Sequence, residues 1–356
     1  MRPERAMAAI LGKDQIVAMA TIYDIAKACG LSPATVSKAL SNASDVSAAT
    51  RERVRRIAQE LDYVPNAGAR ALSQSRTWSI GVLCQDASQM GLWHYLFAQV
   101  IESFKDYVEQ HGYDIVFVSN KVGNMGLSYL GHCRYRRVDG VFIVNTDHSQ
   151  KDARELMESN LPKIAIDFEN EHIGCVKTDP AESMRMLFTH LYDLGHRNIV
   201  YLHGERGKYI TEERISALEK AAVASSDKTV NLRLFPSKYY SIEGGFDSMK
   251  KLLLATKDDR PTAVIASDDY SAIGVIEAIR EAGLSVPEDI SVVGFDGIEI
   301  TQRTNPSLTT IRQDTKAIGE AAAKNLLSQI AGEADVPKTV SLMPQLVIGE
   351  SCKDIR

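Results

Sequence analysis

The sequence predicts two unlike folds in one chain. An N-terminal all-α bundle with a helix-turn-helix layout and a short helix behind it is followed by a much larger α/β core of two lobes. Three observations carry this. Between residues 19 and 76, capping residues and apolar positions recur at helical spacing, punctuated by Gly30 and Pro65. From Trp78 onward, short β-rich runs alternate with amphipathic stretches. The charge divides at the same place: residues 1–76 hold 11 Lys/Arg against 7 Asp/Glu, a net of +4, and the remainder 30 against 39, a net of −9. A small basic unit on an acidic body suits a polyanion binder.

Residues 1–18 read as a disordered tail, because the weak apolar patch Ala6 to Leu11 is broken by Lys13 and Asp14 and forms no signal-peptide core. The ordered pattern begins at Met19. Thr21 is placed to cap a first helix, with Asp24 complementing the exposed N–H groups. That helix ends near Ala28, and Gly30 makes the turn. Ser32 caps a second helix, with Pro33 at the first helical position, where its missing N–H costs nothing. Val36 and Leu40 are expected to be buried on it. Ala34, Ser37, Lys38 and Ser41 fall on the opposite side, small enough to enter a major groove. Ser47 caps a third helix with an apolar stripe of Val54, Ile57, Ala58 and Leu61. Pro65 then stops helix continuation, and Asn66 can cap a short helix over residues 67–73, too short to be stable alone. The bundle unit spans 19–64, the tether 65–76 and the core 77–356.

In the core, strands are expected at 79–84, 113–119, 140–145, 163–168, 198–204, 263–267 and 290–295. Several are continuous apolar runs, as parallel strands buried on both faces require. Residues 180–194 carry Met184, Leu187, Phe188, Leu191 and Leu194 at helical spacing. Repeated βα units imply doubly wound layers, and this much chain is better divided into two lobes whose strands end at a shared cleft. The strongest ligand-binding candidates therefore sit at or just after strand ends. Asp86 and His94 follow the first strand, and Trp93, Phe168 and Phe235 can supply apolar walls.

Enzyme chemistry finds little support. No GxGxxG opens a helix after a strand, GERGK at 204–208 is too short for a phosphate-binding loop, and neither HExxH nor GxSxG occurs. The adjacent Asp268-Asp269 pair is better suited to capping a helix than to acid/base work. The five cysteines form no CxxC pair, which suits reduced thiols in a cytoplasm and calls for no metal or cofactor. No apolar run has the length of a membrane span.

The stretch TIYDIAKACGLSPATVSKALSN, continued by VSAATRERVRRIAQELDYVPNAGARAL, resembles the LacI/GalR family of bacterial repressors. So do LGHRNIVYLHG, TEERISALEKA and PTAVIASDDYSAIGVIEAIREAGLSVPEDISVVGFDGIEI in the core. The resemblance implies a core like that of periplasmic sugar-binding proteins, crossed by the chain near residues 176, 305 and 338. Lobe one then holds about 77–176 and 306–338, and lobe two about 177–305 and 339–356. It implies a base-reading pair at Pro33 and Ala34, and places Lys38 where the family usually has Arg. Phosphate contacts fall at Ser32, Thr35, Ser37 and Asn42. The segment 67–73, begun by Asn66, becomes a hinge helix that pairs with its twin in the minor groove, with Leu72 as the wedge that kinks the duplex. In the core, Arg214 and Asp296 match effector-binding positions, and Asp268 falls where the family usually has Asn. Carboxylates and a guanidinium grip vicinal hydroxyls well, which points to a carbohydrate effector. The expected protein is a cytoplasmic, nucleoid-associated homodimer: a transcriptional regulator, foremost a repressor, that binds double-stranded operator DNA and is controlled by a small ligand between its lobes. A sugar-binding or transport module fits the core alone but leaves the helix-turn-helix without a use.

Overall fold

The computed structural model describes residues 20–64, 76–85, 91–257 and 259–356. The expectations for the 1–18 tail, for Asn66, Leu72 and the hinge helix, and for Asp86 fall outside these residues. The chain divides into two compact units, Met1–Thr77 and Trp78–Arg356.

In the first unit, α1 (Ile22–Cys29), α2 (Pro33–Leu40) and α3 (Ala48–Glu60) form a three-helix bundle. The starts are built as the sequence implies. Asp24 accepts from the Thr21 N–H at 2.8 Å, and the Ser32 and Ser47 hydroxyls accept from the Thr35 and Thr50 amides. Gly30 ends α1 at φ 63°, a conformation glycine adopts without strain. Ile25, Val36, Ala39 and Val54 form the fully buried centre. The buried pair on α2 is thus Val36 and Ala39, with Leu40 only half-buried, because the inward face follows i,i+3 here. Leu61 is also more exposed than its place in the stripe suggests, since α3 stops at Glu60 and Leu61 lies past the last turn.

The second unit holds two six-stranded sheets. The first runs β13–β7–β6–β5–β1–β2, all parallel, with β1 (Ser79–Cys84), β2 (Asp114–Phe117), β5 (Gly140–Asn145), β6 (Lys163–Ile166), β7 (Gly174–Thr178) and β13 (Thr339–Leu342). The second runs β14–β12–β11–β10–β8–β9, with β8 (Asn198–His203), β9 (Asn231–Pro236), β10 (Ala263–Ile265), β11 (Ser291–Asp296), β12 (Thr309–Arg312) and β14 (Gln345–Val347), the last antiparallel. A two-residue hairpin, β3 (Lys121–Val122) and β4 (Met125–Gly126), stands apart. The central apolar runs pair in register, Val82 beside Phe142 and Val200 beside Val264. Apolar clusters cover both faces of each sheet, as parallel strands require.

Among the described residues, eight α-helices complete the layers: α4 (Tyr95–Gln110), α5 (Tyr129–Arg136), α6 (Lys151–Glu158), α7 (Pro180–Asp193), α8 (Tyr209–Ala224), α9 (Ile242–Ala255), α10 (Asp269–Glu281) and α11 (Thr315–Ala331). Helix α11 returns to the first lobe, where Ile318, Ala322 and Leu326 pack with Val100 and Phe104 of α4. Gly319 permits that approach, because a Cβ there would lie 2.6 Å from the Val100 carbonyl oxygen.

The crossings between lobes fall after β7, between β12 and α11, and between β13 and β14. This corrects two sequence boundaries. Residues 309–312 belong to the second sheet, because β12 pairs with β11, and residues 339–342 to the first, because β13 pairs with β7. Both are short, partly polar strands whose lobe is decided by long-range pairing.

Candidate nucleic-acid and ligand sites

In the bundle, α2 turns Ala34, Ser37 and Lys38 outward, with Ser32, Ser41 and Asn42 also exposed and Pro33 and Thr35 half-exposed. The six candidates from Ser32 to Lys38 therefore share one short helix and its cap. Asn42 stands just past its end at φ 60°, a left-handed conformation that Asn tolerates better than most residues. Several polar groups on this side already have partners. Ser32 and Thr35 share a 2.8 Å hydroxyl–hydroxyl bond, Arg55 donates to the Asn42 side chain, and Lys38 is 2.5 Å from Asp45. Arg51 donates to the carbonyls of Ala43 and Val46, clamping the loop between α2 and α3.

In the core, the strand ends of both lobes face a cavity of about 1120 Å³. One side comes from Gln85 after β1, Asn145 to His148 after β5, and Asp167 and Phe168 after β6. The other comes from Gly204 to Arg206 after β8, Lys208 and Tyr209 at the start of α8, Ser237 to Glu243 after β9, and Tyr270 on α10. Strand C-terminal ends converge here because every strand in both sheets' centres runs the same way. Three side chains at these ends sit on backbone that ordinary residues avoid: Asp167 at φ 53°, Tyr240 at φ 57° and Asp296 at φ 116°. Such strain persists only where the surroundings hold it, and it gathers at binding sites.

The walls are aromatic with charges between them. His148 stacks on Phe168 with centroids 3.7 Å apart, and Tyr209 meets the Phe168 ring edge-on at 6.2 Å. Burial, with help from the Lys208 charge, pushes His148 down to about 4, so it is neutral at pH 7. Two ion pairs cross from lobe to lobe. Lys208 lies 3.2 Å from Asp147, and Lys177 lies 3.1 Å from Glu213 and 2.5 Å from the Tyr209 hydroxyl. Burial opposes the Lys177 charge, but its bonds to Tyr209 and Glu213 outweigh this and raise its pKa. Asp147 is held well below the usual carboxylate range, first by the Ser149 hydroxyl and also by Lys208.

The sequence candidates divide. Phe168 lines the cavity. Arg214 and Asp296 lie behind its wall, 4% and 3% exposed. The Arg214 guanidinium rests 3.6 Å over the Phe295 ring and donates to the Ser267 carbonyl at 3.1 Å. Asp296 accepts from Gln313 through one oxygen at 2.8 Å, while its other oxygen and Arg214 Nε are buried without a hydrogen-bond partner. Buried polar atoms of this kind mark a place where a further polar group belongs. Burial, reinforced by Asp268 and Asp269, lifts the Asp296 carboxyl well above its ordinary range. Tyr239 separates this group from the open cavity. Its ring stands 5.7 Å from the guanidinium and lies against Gly204, where any Cβ would overlap it.

His94 is fully buried at the lobe boundary, its ring 4.3 Å from Phe97 of its own lobe and 4.3 and 5.2 Å from Tyr240 and Tyr270 of the other. Three expectations need correction. Asp268 does not face the cavity: it caps α10, accepting from the Ser271 and Tyr240 amides at 2.9 and 2.8 Å and from two serine hydroxyls. Phe235 packs into the core beneath the second sheet, because alternation along β9 turns it inward. Trp93 is 87% exposed on a 3-10 turn and forms no wall.

Asp147, His148, Asp167, Lys177, Lys208, Tyr209, Tyr239, Tyr240 and Tyr270 were not singled out from the sequence. Most follow a strand within a few residues, so the strand-end rule applied to every strand finds them. Lys177 lies inside a strand that the sequence did not reveal, and Tyr270 lies on a helix.

Residues 21–66 match the family described as bacterial regulatory proteins, lacI family, and residues 188–352 match a periplasmic binding protein-like domain. Over 346 residues, 95% of this chain and 100% of the relative, the sequence is 30% identical to the HTH-type transcriptional repressor PurR of Vibrio vulnificus (strain CMCP6). A solved lac repressor dimer bound to operator and the anti-inducer ONPF is similar with a TM-score of 0.77 and 28% identity, over 94% of this chain and 99% of that one. A lacI-family regulator from Enterococcus faecium with bound ribose is similar with a TM-score of 0.66 and 26% identity, over 78% of this chain and 100% of that one.

Proposed function

This chain belongs to the lacI family of bacterial regulatory proteins and is a ligand-responsive, DNA-binding transcriptional regulator; we propose that it works as a homodimeric repressor whose effector is a carbohydrate held between the two lobes. The observation that carries the proposal is the cavity itself. Its walls come from both lobes, and ion pairs cross its rim. A ligand there touches both lobes at once, so it has a different affinity for open and closed forms, and that difference is what shifts a two-state equilibrium.

Carbohydrate is supported by the kind of wall present. Aromatic faces at Phe168, Tyr209 and Tyr240 suit the apolar faces of sugar rings, and Asn145, Asp167 and Gln85 offer groups for hydroxyls. The Enterococcus faecium relative holds ribose. In the bundle, Pro33 and Ala34 are proposed to face the bases, Lys38 to reach a base edge or a phosphate, and Ser32, Thr35, Ser37 and Asn42 to meet the phosphates. Two bundles in a dimer then read a pseudo-palindromic operator, and the protein acts at the nucleoid with no catalytic step.

The test is a thermal-shift screen of the full chain against mono- and disaccharides and nucleosides, followed by footprinting on genomic fragments with and without each hit. A sugar that raises the melting temperature and changes a palindromic footprint supports the reading. A nucleoside that does so in place of any sugar overturns the carbohydrate class. Footprints without a protected palindrome overturn the dimeric operator reading.

A further inference from the structure

The bundle is less basic than the N-terminal region around it. Its residues 20–64 carry six Lys/Arg, at positions 27, 38, 51, 53, 55 and 56, and five Asp/Glu, at 24, 45, 52, 60 and 62, a net of only +1. In so balanced a unit, the arrangement of single charges decides how a phosphate backbone is met. Of the six cations, Arg56 pairs with Glu60 along α3, and three others are engaged on the side where α2 meets the loop behind it. Arg51 holds the Ala43 and Val46 carbonyls, Arg55 holds Asn42, and Lys38 holds Asp45.

The Lys38–Asp45 pair differs from the other two. Arg51 is partly buried and fixes the loop's backbone, which is a structural duty. Lys38 and Asp45 are both more than half exposed, at 56% and 55%, so the pair fixes nothing in the core. It lies on the outward face of α2 beside Ala34, Ser37 and Ser41. Asp45 also adds a negative charge at the very surface a polyanion has to approach. The Lys38 bond keeps the Asp45 carboxyl below its ordinary range, so it stays ionised at neutral pH.

We propose that Asp45 is an internal stand-in for a DNA phosphate: it occupies the Lys38 ammonium in the free protein, must give it up when DNA binds, and so holds down affinity for any duplex while leaving discrimination to groups that contact bases. The proposal rests on α2 being the DNA-facing helix. An aspartate immediately before Val46 on a clamped loop is well placed for this, because Arg51 prevents the loop from carrying the carboxylate away.

The experiment measures full-chain binding to a 30-bp duplex of arbitrary sequence by fluorescence anisotropy between 50 and 200 mM KCl. Asp45→Asn, Lys38→Met and the double variant are compared with the parent. Asp45→Asn is expected to tighten binding by roughly three- to tenfold and to steepen the plot of log K against log salt by about 0.9, the contribution of one further neutralised phosphate. In the Lys38→Met background the same change should lose most of that gain. Unchanged or weaker binding by Asp45→Asn overturns the proposal, since the pair would then position Lys38 in the complex. A gain of equal size with and without Lys38 also overturns it, because Asp45 would then act only by general repulsion. If Lys38→Met and a separate Ser37→Glu both leave DNA binding untouched, α2 is not the DNA-facing helix and the reading beneath the proposal fails.

Discussion

Replacing Glu213 with Gln should loosen the closure of the two lobes. Lys177, on β7 of the first lobe, has a side chain only 10% exposed, and its ammonium is bonded to Tyr209 and Glu213 of α8 in the second lobe. Glu213 is 41% exposed, so water screens its half of the pair. An exposed pair contributes about 0–1 kcal/mol, and breaking a buried one costs about 3–5 kcal/mol. This pair lies between those limits and nearer the first, at roughly 1–2 kcal/mol after the discount for exposure. Because the pair exists only while the lobes are together, its loss multiplies the open population by about 5–30. His94 reports that population, since it is fully buried between Phe97 on one side and Tyr240 and Tyr270 on the other. The rate of diethyl pyrocarbonate modification at His94, read by peptide mass spectrometry, should rise by that factor in Glu213→Gln. A rate unchanged in that variant, and unchanged again when Asp147→Asn is added, would refute the claim that these bridges hold the lobes closed.

Arg214→Met removes a buried cation that sits near Asp167 and Asp296. Losing that charge and the bond it donates to the Ser267 carbonyl, the core should lose about 2–3 kcal/mol, a fall of roughly 4–12 °C in calorimetric melting temperature, and any ligand response should go with it. Asp269 is pushed up to about 7, first by burial, against the pull of its bonds from Thr310 and the Ile298 amide. Its folded-state pKa is raised, so its contribution is fully present below about pH 4 and is lost as pH rises through 7; urea midpoints of Asp269→Asn should fall less steeply than the parent's over that window, and parallel curves would count against it. Ser32→Ala deletes the cap on the Thr35 amide and should cost the bundle about 1 kcal/mol, visible as roughly fivefold faster hydrogen exchange at the first turn of α2.

Much of the bundle was legible because its signals are local. Thr21 with Asp24, Gly30, Ser32 with Pro33, and Ser47 each act within one turn, and each does in the structure what its chemistry implies. The central strands were legible for a similar reason: runs such as GVFIVN are apolar on both faces and have few other places to go. β7, β9, β12, β13 and β14 were missed, since GCVKT, NLRLFP and TTIR carry polar residues that only their neighbours in the sheet make tolerable.

A capped three-helix bundle with an outward face of Ala34, Ser37 and Lys38, ahead of a doubly wound α/β core, follows from the residues alone, because caps, turns and hydrophobic period act over a few positions. What that core encloses depends on the folded arrangement. It placed β12 and β13 in opposite lobes from those their positions suggested, kept Asp268, the helix cap that its chemistry allows, out of the cavity wall, and turned Phe235 inward. It set Tyr239 between the open cavity and Arg214 and brought Lys177 to Glu213. These outcomes depend on contacts between residues far apart in the chain and on which way each side chain points, and neither is written in any local stretch of sequence.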